Sequence, residues 1–137
     1  MSAPSSFYPV FLDLRGRCCV VLGGGALALE KVQGLLGAEA MVRVVAAGLV
    51  ADLSALVERG AVEWVPRDYR RGDLAGAVLA IDASGEEAIN AQSHREARAA
   101  GVSWGTNQAH VPRTLPVGEA GHRLRTSHAS RVAIKPS

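Results

Sequence analysis

The spacing of apolar positions changes several times along the first hundred residues. Residues 18–22, Cys-Cys-Val-Val-Leu, form a continuous apolar run of strand length, the pattern of a strand buried on both faces. Residues 41–46 and 77–81 read in the same way. Between the first two runs, Leu29, Val32, Leu35 and Leu36 fall at helical spacing. They predict a helix over 26–36, with Gly37 as its stop. Leu49, Leu53, Leu56 and Val57 predict a second helix over 49–58, with Gly60 past its end. Residues 61–65 alternate like a short strand. A third helix is predicted over 86–100, ending at Gly101, and Val102-Ser103-Trp104 begins another strand. The apolar stretch 7–12 reads as an edge strand or a lead-in packed on the sheet, followed by a turn at 14–17.

The predicted order is β-α-β-α-β-β-α-β. Strands alternating with helices of this length predict an α/β fold with a doubly wound, Rossmann-like parallel sheet. Beyond Trp104 the periodicity stops. Pro112, Pro116, Gly118, Gly121 and Pro136 punctuate the remainder, and Val132-Ala133-Ile134 is a lone apolar patch. The reading is a dinucleotide-binding Rossmann domain over 1–104 and an irregular, basic C-terminal tail over 105–137.

Composition agrees with one such domain. Aromatic residues make up 4% of the 137 positions while hydrophobic residues make up 48%, so the core must be built from Ala, Val and Leu. Net charge is +2, but residues 1–100 carry 10 Lys/Arg against 12 Asp/Glu, and residues 101–137 carry 5 against 1. A basic tail raises nucleic-acid contact as one reading and a solvated end as the more ordinary one. Cys18 and Cys19 would point to opposite faces of a strand, which disfavours a disulfide between them and suits a reducing setting. No apolar run reaches membrane-spanning length and no signal-peptide pattern opens the chain. A cytoplasmic protein without a membrane partner is expected, and no metal-ligand spacing stands out.

Gly23-Gly24-Gly25-Ala26-Leu27-Ala28 fits the pattern G-x-G-x-x-A. The first glycine makes the tight turn from strand to helix. The second lets the backbone approach a pyrophosphate, and a small third residue, Ala28, allows close packing of helix on strand. Amides at the helix start, with its dipole, would hold the phosphates. The motif follows a buried strand and opens a helix, which is the context it requires. The acid usually found at the end of the second strand, for the ribose hydroxyls, is absent: the chain reads Val44-Val45-Ala46-Ala47-Gly48 there.

These residues resemble the dehydrogenase domain of siroheme synthases, the precorrin-2 dehydrogenase family. The matching pieces are Tyr8 to Arg17, Val20 to Gly25, Ala28 with Lys31-Val32, Val44-Val45-Ala46, Trp64, Arg67-Asp68-Tyr69, Asp73-Leu74-Ala75-Gly76 and Asn90. The resemblance covers about residues 7–104. It implies NAD as cofactor and precorrin-2 as the tetrapyrrole substrate, oxidised to sirohydrochlorin. It also implies a homodimer and, as in some members, ferrochelatase activity. By resemblance, Gly23, Gly24, Gly25, Ala26 and Leu27 meet the pyrophosphate, Ala47 and Gly48 lie near the adenosine ribose, and Ala83 and Ser84 line the nicotinamide side.

The chain departs from the family in places. Ser84-Gly85 stands for Thr-Asp, and Asp82 for Ala. Gln108 occupies the position of the aspartate assigned to catalysis, and glutamine cannot exchange a proton as a carboxylate can. The family's dimerisation segment is unrecognisable here. No catalytic residue is therefore assigned, and a catalytically inactive NAD-binding module stands beside the enzyme as the alternative. Asp82 is read as the cap of a turn or as a replacement base. His94 is read as a solvent-facing helix residue, and His110, His122 and His128 as tail residues. Trp64 is read as core or rim. Arg67, Arg70 and Arg71 could meet tetrapyrrole carboxylates or simply line a solvated loop.

Overall fold

The computed structural model describes residues 11–106 and 133–135. Five parallel strands form the sheet: β1 (Cys18–Leu22), β2 (Met41–Val45), β3 (Glu63–Val65), β4 (Leu79–Asp82) and β5 (Ser103–Thr106). A sixth, β6 (Ala133–Lys135), pairs antiparallel with β5. The helices are α1 (Ala26–Gly37), α2 (Ala51–Glu58) and α3 (Glu87–Ala100). The sheet order is β3-β2-β1-β4-β5-β6. The chain thus winds outward from β1 in one direction and from β4 in the other. The switch between these directions lies between β1 and β4, where open α/β sheets bind their ligands.

The continuous apolar runs are explained by burial on both faces. In β1, Cys19 and Val21 belong to the layer that receives Val32 of α1 and Leu53 of α2. Val20 and Leu22 belong to the opposite layer, with Leu74, Ala97 of α3 and Trp104. Neighbours alternate between faces, yet all four are at most 1% exposed. The thiols are unbridged. Burial, aided by the neighbouring Cys18, pushes the Cys19 thiol up to about 11.

Two local expectations are corrected. The part of 7–12 that is described is not strand, and Phe11 is fully exposed; a chain must reach an edge before an apolar run can pair. Residues 7–10 lie outside the described residues. Helix α1 ends at Gly37, the predicted stop, but without a left-handed conformation there. That conformation falls on Glu39, at φ 64°. The patch around Ala133 is not without structure: Trp104, Gly105 and Thr106 face Lys135, Ile134 and Ala133 in the β5–β6 ladder. Such a pairing carries no local periodic signal. Among the described residues no helix is long and apolar enough to cross a membrane.

Candidate dinucleotide site

The parallel register brings Val45, Leu22, Asp82 and Thr106 into one row at the C-terminal ends of β2, β1, β4 and β5. The segments that follow the first three lie side by side at this end of the sheet, where folds of this kind place their binding crevice: residues 23–25 after β1, 46–50 after β2 and 83–85 after β4. Every sequence-predicted cofactor residue lies on one of these segments or on the first turn of α1. Their convergence follows from the topology, because each is the first loop beyond a strand end.

The three glycines have different reasons to be glycine. Gly23 has φ +118°, and a β-carbon on it would stand 2.6 Å from the Ala83 carbonyl oxygen. It lets the β1 and β4 loops touch. A β-carbon on Gly24 would stand 1.9 Å from the Gly48 carbonyl oxygen. The Val50 amide donates to the Gly24 carbonyl at 2.9 Å across the same contact. Gly25 differs from both, since a β-carbon there meets nothing within 4 Å. Its open side is the surface across which a ligand's phosphates could approach the backbone. The motif requires glycine at positions 23 and 25. The structure adds Gly24, whose constraint comes from a loop distant in sequence.

Helix α1 begins with Gly25 as an N-cap that makes no side-chain hydrogen bond, and no acid stands in the first turn. The amides of Ala26 and Leu27 carry no hydrogen bond among the described residues. The helix's positive end therefore opens into the crevice without an internal anion. Ala28 is fully buried beneath it, as the third small position requires. A pyrophosphate fits these features: unengaged amides, an uncapped helix end and a β-carbon-free approach at Gly25.

The other walls are held by side chains that sequence reasoning only partly placed. Trp64 donates its indole N–H to the Ala46 carbonyl at 2.8 Å, fixing the loop that carries exposed Ala47 and Gly48. Asp82 is 3% exposed. Its Oδ1 accepts from the Ser84 amide at 3.0 Å, and its Oδ2 accepts from the Asn90 side-chain amide at 2.9 Å. Asn90 also donates to Thr106 Oγ1 at 3.3 Å. Asp82 is thus the cap of the turn after β4, and its two oxygens are committed. Asn90 and Thr106 were not assigned this role, because the residues that meet lie 8 and 24 positions from Asp82.

Two sequence readings change. His94 does not simply face solvent: its ring stacks on Trp104, with centroids 4.4 Å apart. Arg67 is not available as a fork for a tetrapyrrole carboxylate. It already grips Asp73 with two bonds of 2.8 Å. Although burial opposes it, this pairing and the Arg70 amide hold the Asp73 carboxyl below the usual range. Gln108, His110, His122 and His128 lie outside the described residues. Among the described residues no group of three His, Cys, Asp or Glu could hold a metal ion.

A family model described as "Putative NAD(P)-binding" matches residues 10–113, three quarters of the chain. The chain belongs to this NAD(P)-binding family. NAD, the cofactor implied by the resemblance, agrees with the description of that family. Within it, the chain is similar to siroheme synthases. It is 45% identical over 96 residues to that of Pseudomonas aeruginosa strain LESB58, covering 70% of this chain and 21% of that protein. It is 42% identical over 96 residues to that of Azotobacter vinelandii, with the same coverage. Among solved structures it resembles "SirC, precorrin-2 dehydrogenase", with a TM-score of 0.60 and 29% identity over 64% of this chain and 44% of that one. The chain spans about a fifth of the length of the curated relatives it matches.

Proposed function

We propose that this chain is the NAD-dependent precorrin-2 dehydrogenase module of siroheme synthesis, oxidising precorrin-2 to sirohydrochlorin. The observation that carries the reading is the crevice at the β1–β4 switch, with an uncapped α1 and Gly25 open beside it. The similarity to siroheme synthases and to a precorrin-2 dehydrogenase supports the choice of substrate.

In this reading the amides from Gly23 to Leu27 bind the pyrophosphate. Ala47 and Gly48 flank the adenosine ribose without a charge, and Ala83 and Ser84 border the nicotinamide. When bound, NAD supplies the hydride acceptor, while precorrin-2 gives up a hydride and a proton. The chain orients both partners and excludes water between them. Asp82, through Ser84 and Asn90, keeps the β4 wall in place.

Two observations favour a second reading. Asp82, the buried carboxylate at the crevice, has both oxygens engaged, and Gln108 stands where the family's aspartate would be. In that reading the chain binds NAD without turnover. Anaerobic incubation with NAD and precorrin-2, followed by NADH absorbance, separates the two. NADH formed together with sirohydrochlorin supports the dehydrogenase, and adding ferrous iron to the product tests ferrochelatase activity. Calorimetric NAD binding with no NADH supports the binding module. Absence of NAD binding defeats both.

A further inference from the structure

The side of the molecule away from the crevice holds a second concave surface. Helix α3 runs antiparallel to the strands. It starts close to Asp82, contacted by Asn90, and ends beside Leu79 and Ser103, which begin β4 and β5. The last two turns of α3 are therefore at the opposite end of the sheet from the glycine loop. Between them and the crossover from β3 to β4 lies an open cavity of about 860 Å³. That volume suits a small ligand. Its lining includes Tyr69, Arg71, Gln92, Arg95 and Arg98.

The charge balance of this cavity is unusual. Among the described residues none of Arg71, Arg95 and Arg98 forms an ion pair. Glu96 lines the cavity as well, so three arginines there face one carboxylate and the balance stays positive. One of its carboxylate oxygens accepts the Tyr69 hydroxyl hydrogen bond and the other accepts the Leu74 amide at 3.2 Å. Its charge is directed into the crossover. Arg98, in the last turn, is partly accounted for by the helix's negative end. That account does not extend to Arg71 or Arg95, which approach the cavity from two different elements. Gln92, one turn before Arg95, adds a neutral donor, and buried Tyr69 supplies a rigid wall.

We propose that this cavity binds a small ligand carrying two or more carboxylate or phosphate groups. Arginine presents paired N–H groups in a planar fork that matches either oxyanion, and three forks around one cavity favour a ligand with several such groups. The site is separate from the dinucleotide crevice and does not depend on the proposed dehydrogenase activity.

The test is calorimetric titration of the full chain with two probes, citrate for the carboxylate source and inorganic pyrophosphate for the phosphate source. The double variant Arg95→Ala, Arg98→Ala replaces exposed helical residues with the best helix former, so its melting should match the parent. The expected result is saturable binding of at least one probe, weakened roughly tenfold or more in the double variant and by added salt. Gly25→Ala should leave that binding unchanged, and NAD should not compete. Failure of both probes to bind saturably overturns the proposal. So does binding that the double variant retains, or binding that NAD displaces and Gly25→Ala removes.

Discussion

The carbonyl oxygen of Gly48 occupies the space that a β-carbon on Gly24 would need, at 1.9 Å. Gly25, the next residue, has nothing within 4 Å of the same position. Two adjacent glycines in one loop thus answer to different demands, one to the fold and one to the approach of a ligand. Gly24→Ala must push the β1 and β2 loops apart and lose the Val50 to Gly24 hydrogen bond, at a cost of about 2 kcal/mol or more. Gly25→Ala should cost less, about 0.5–1 kcal/mol, the gap between glycine and alanine at an N-cap. It should still weaken NAD binding, because a methyl group then stands on the open side. Thermal melts and calorimetry on the two variants check the separation. Equal melting losses would show that the loop does not divide its roles this way.

The frame of the molecule was readable because each central strand is buried on both faces. Such strands leave continuous apolar runs, so β1 at Cys18–Leu22 coincides with its predicted span and the predicted order of elements matches the first eight observed. The placement of the glycine loop after β1 followed from that. What could not be read depends on contacts between distant residues. Nothing near Gly24 in sequence announces Gly48, and nothing near Trp64 announces the Ala46 carbonyl. The pairing of Asp82 with Asn90 needs α3 to start above β4. The β6 strand consists of three residues paired to an edge, too short to show a period. Arg67 looked available for a ligand because Asp73, its partner, was six positions away with an unknown turn between them.

The bond between Asp82 and Asn90 makes a prediction of its own. Asp82→Asn places an amide against the Asn90 amide, so one of the two loses its hydrogen bond, at about 1–2 kcal/mol. The reciprocal exchange, Asp82→Asn with Asn90→Asp, restores a donor facing an acceptor. It should recover most of the loss, giving a coupling of about 1 kcal/mol in a double-mutant cycle measured by chemical denaturation. If the double variant is as unstable as the sum of the single ones, the pair is not acting as a unit.

Tyr69 links stability to alkaline pH. Its hydroxyl is buried and donates to Glu96, and both burial and the adjacent carboxylate push its pKa well above the ordinary tyrosine range. The folded chain therefore keeps a proton that the unfolded chain loses near pH 10. Stability from this group is complete below that pH and declines as pH rises above it. Buried Cys19, pushed up to about 11, acts in the same direction from a lower starting pH. Tyr69→Phe should cost about 1–2 kcal/mol at neutral pH, since Glu96 loses a donor. The variant should then lose less stability than the parent between about pH 9 and about pH 11. Parallel declines in the two proteins would contradict the assignment.

Glu39 is exposed and holds the left-handed backbone conformation, φ 64°, that Gly37 two residues earlier could have taken without strain. The conformation is imposed from both sides. The Glu39 amide donates to the Leu36 carbonyl at 2.9 Å to close the end of α1, and its carbonyl accepts from Gly16 at 2.9 Å to hold the turn before β1. Both bonds belong to the backbone, so Glu39→Gly keeps them. The exchange removes a left-handed penalty of roughly 1–2 kcal/mol and adds a smaller loss from the greater freedom of glycine when unfolded. The expected outcome is a net gain of about 0.5–1 kcal/mol, read as a rise in melting temperature of a few degrees. Glu39→Ala, which keeps the β-carbon and therefore the strain, should show no such gain. A rise in both variants would locate the effect in the glutamate's charge instead of in its backbone.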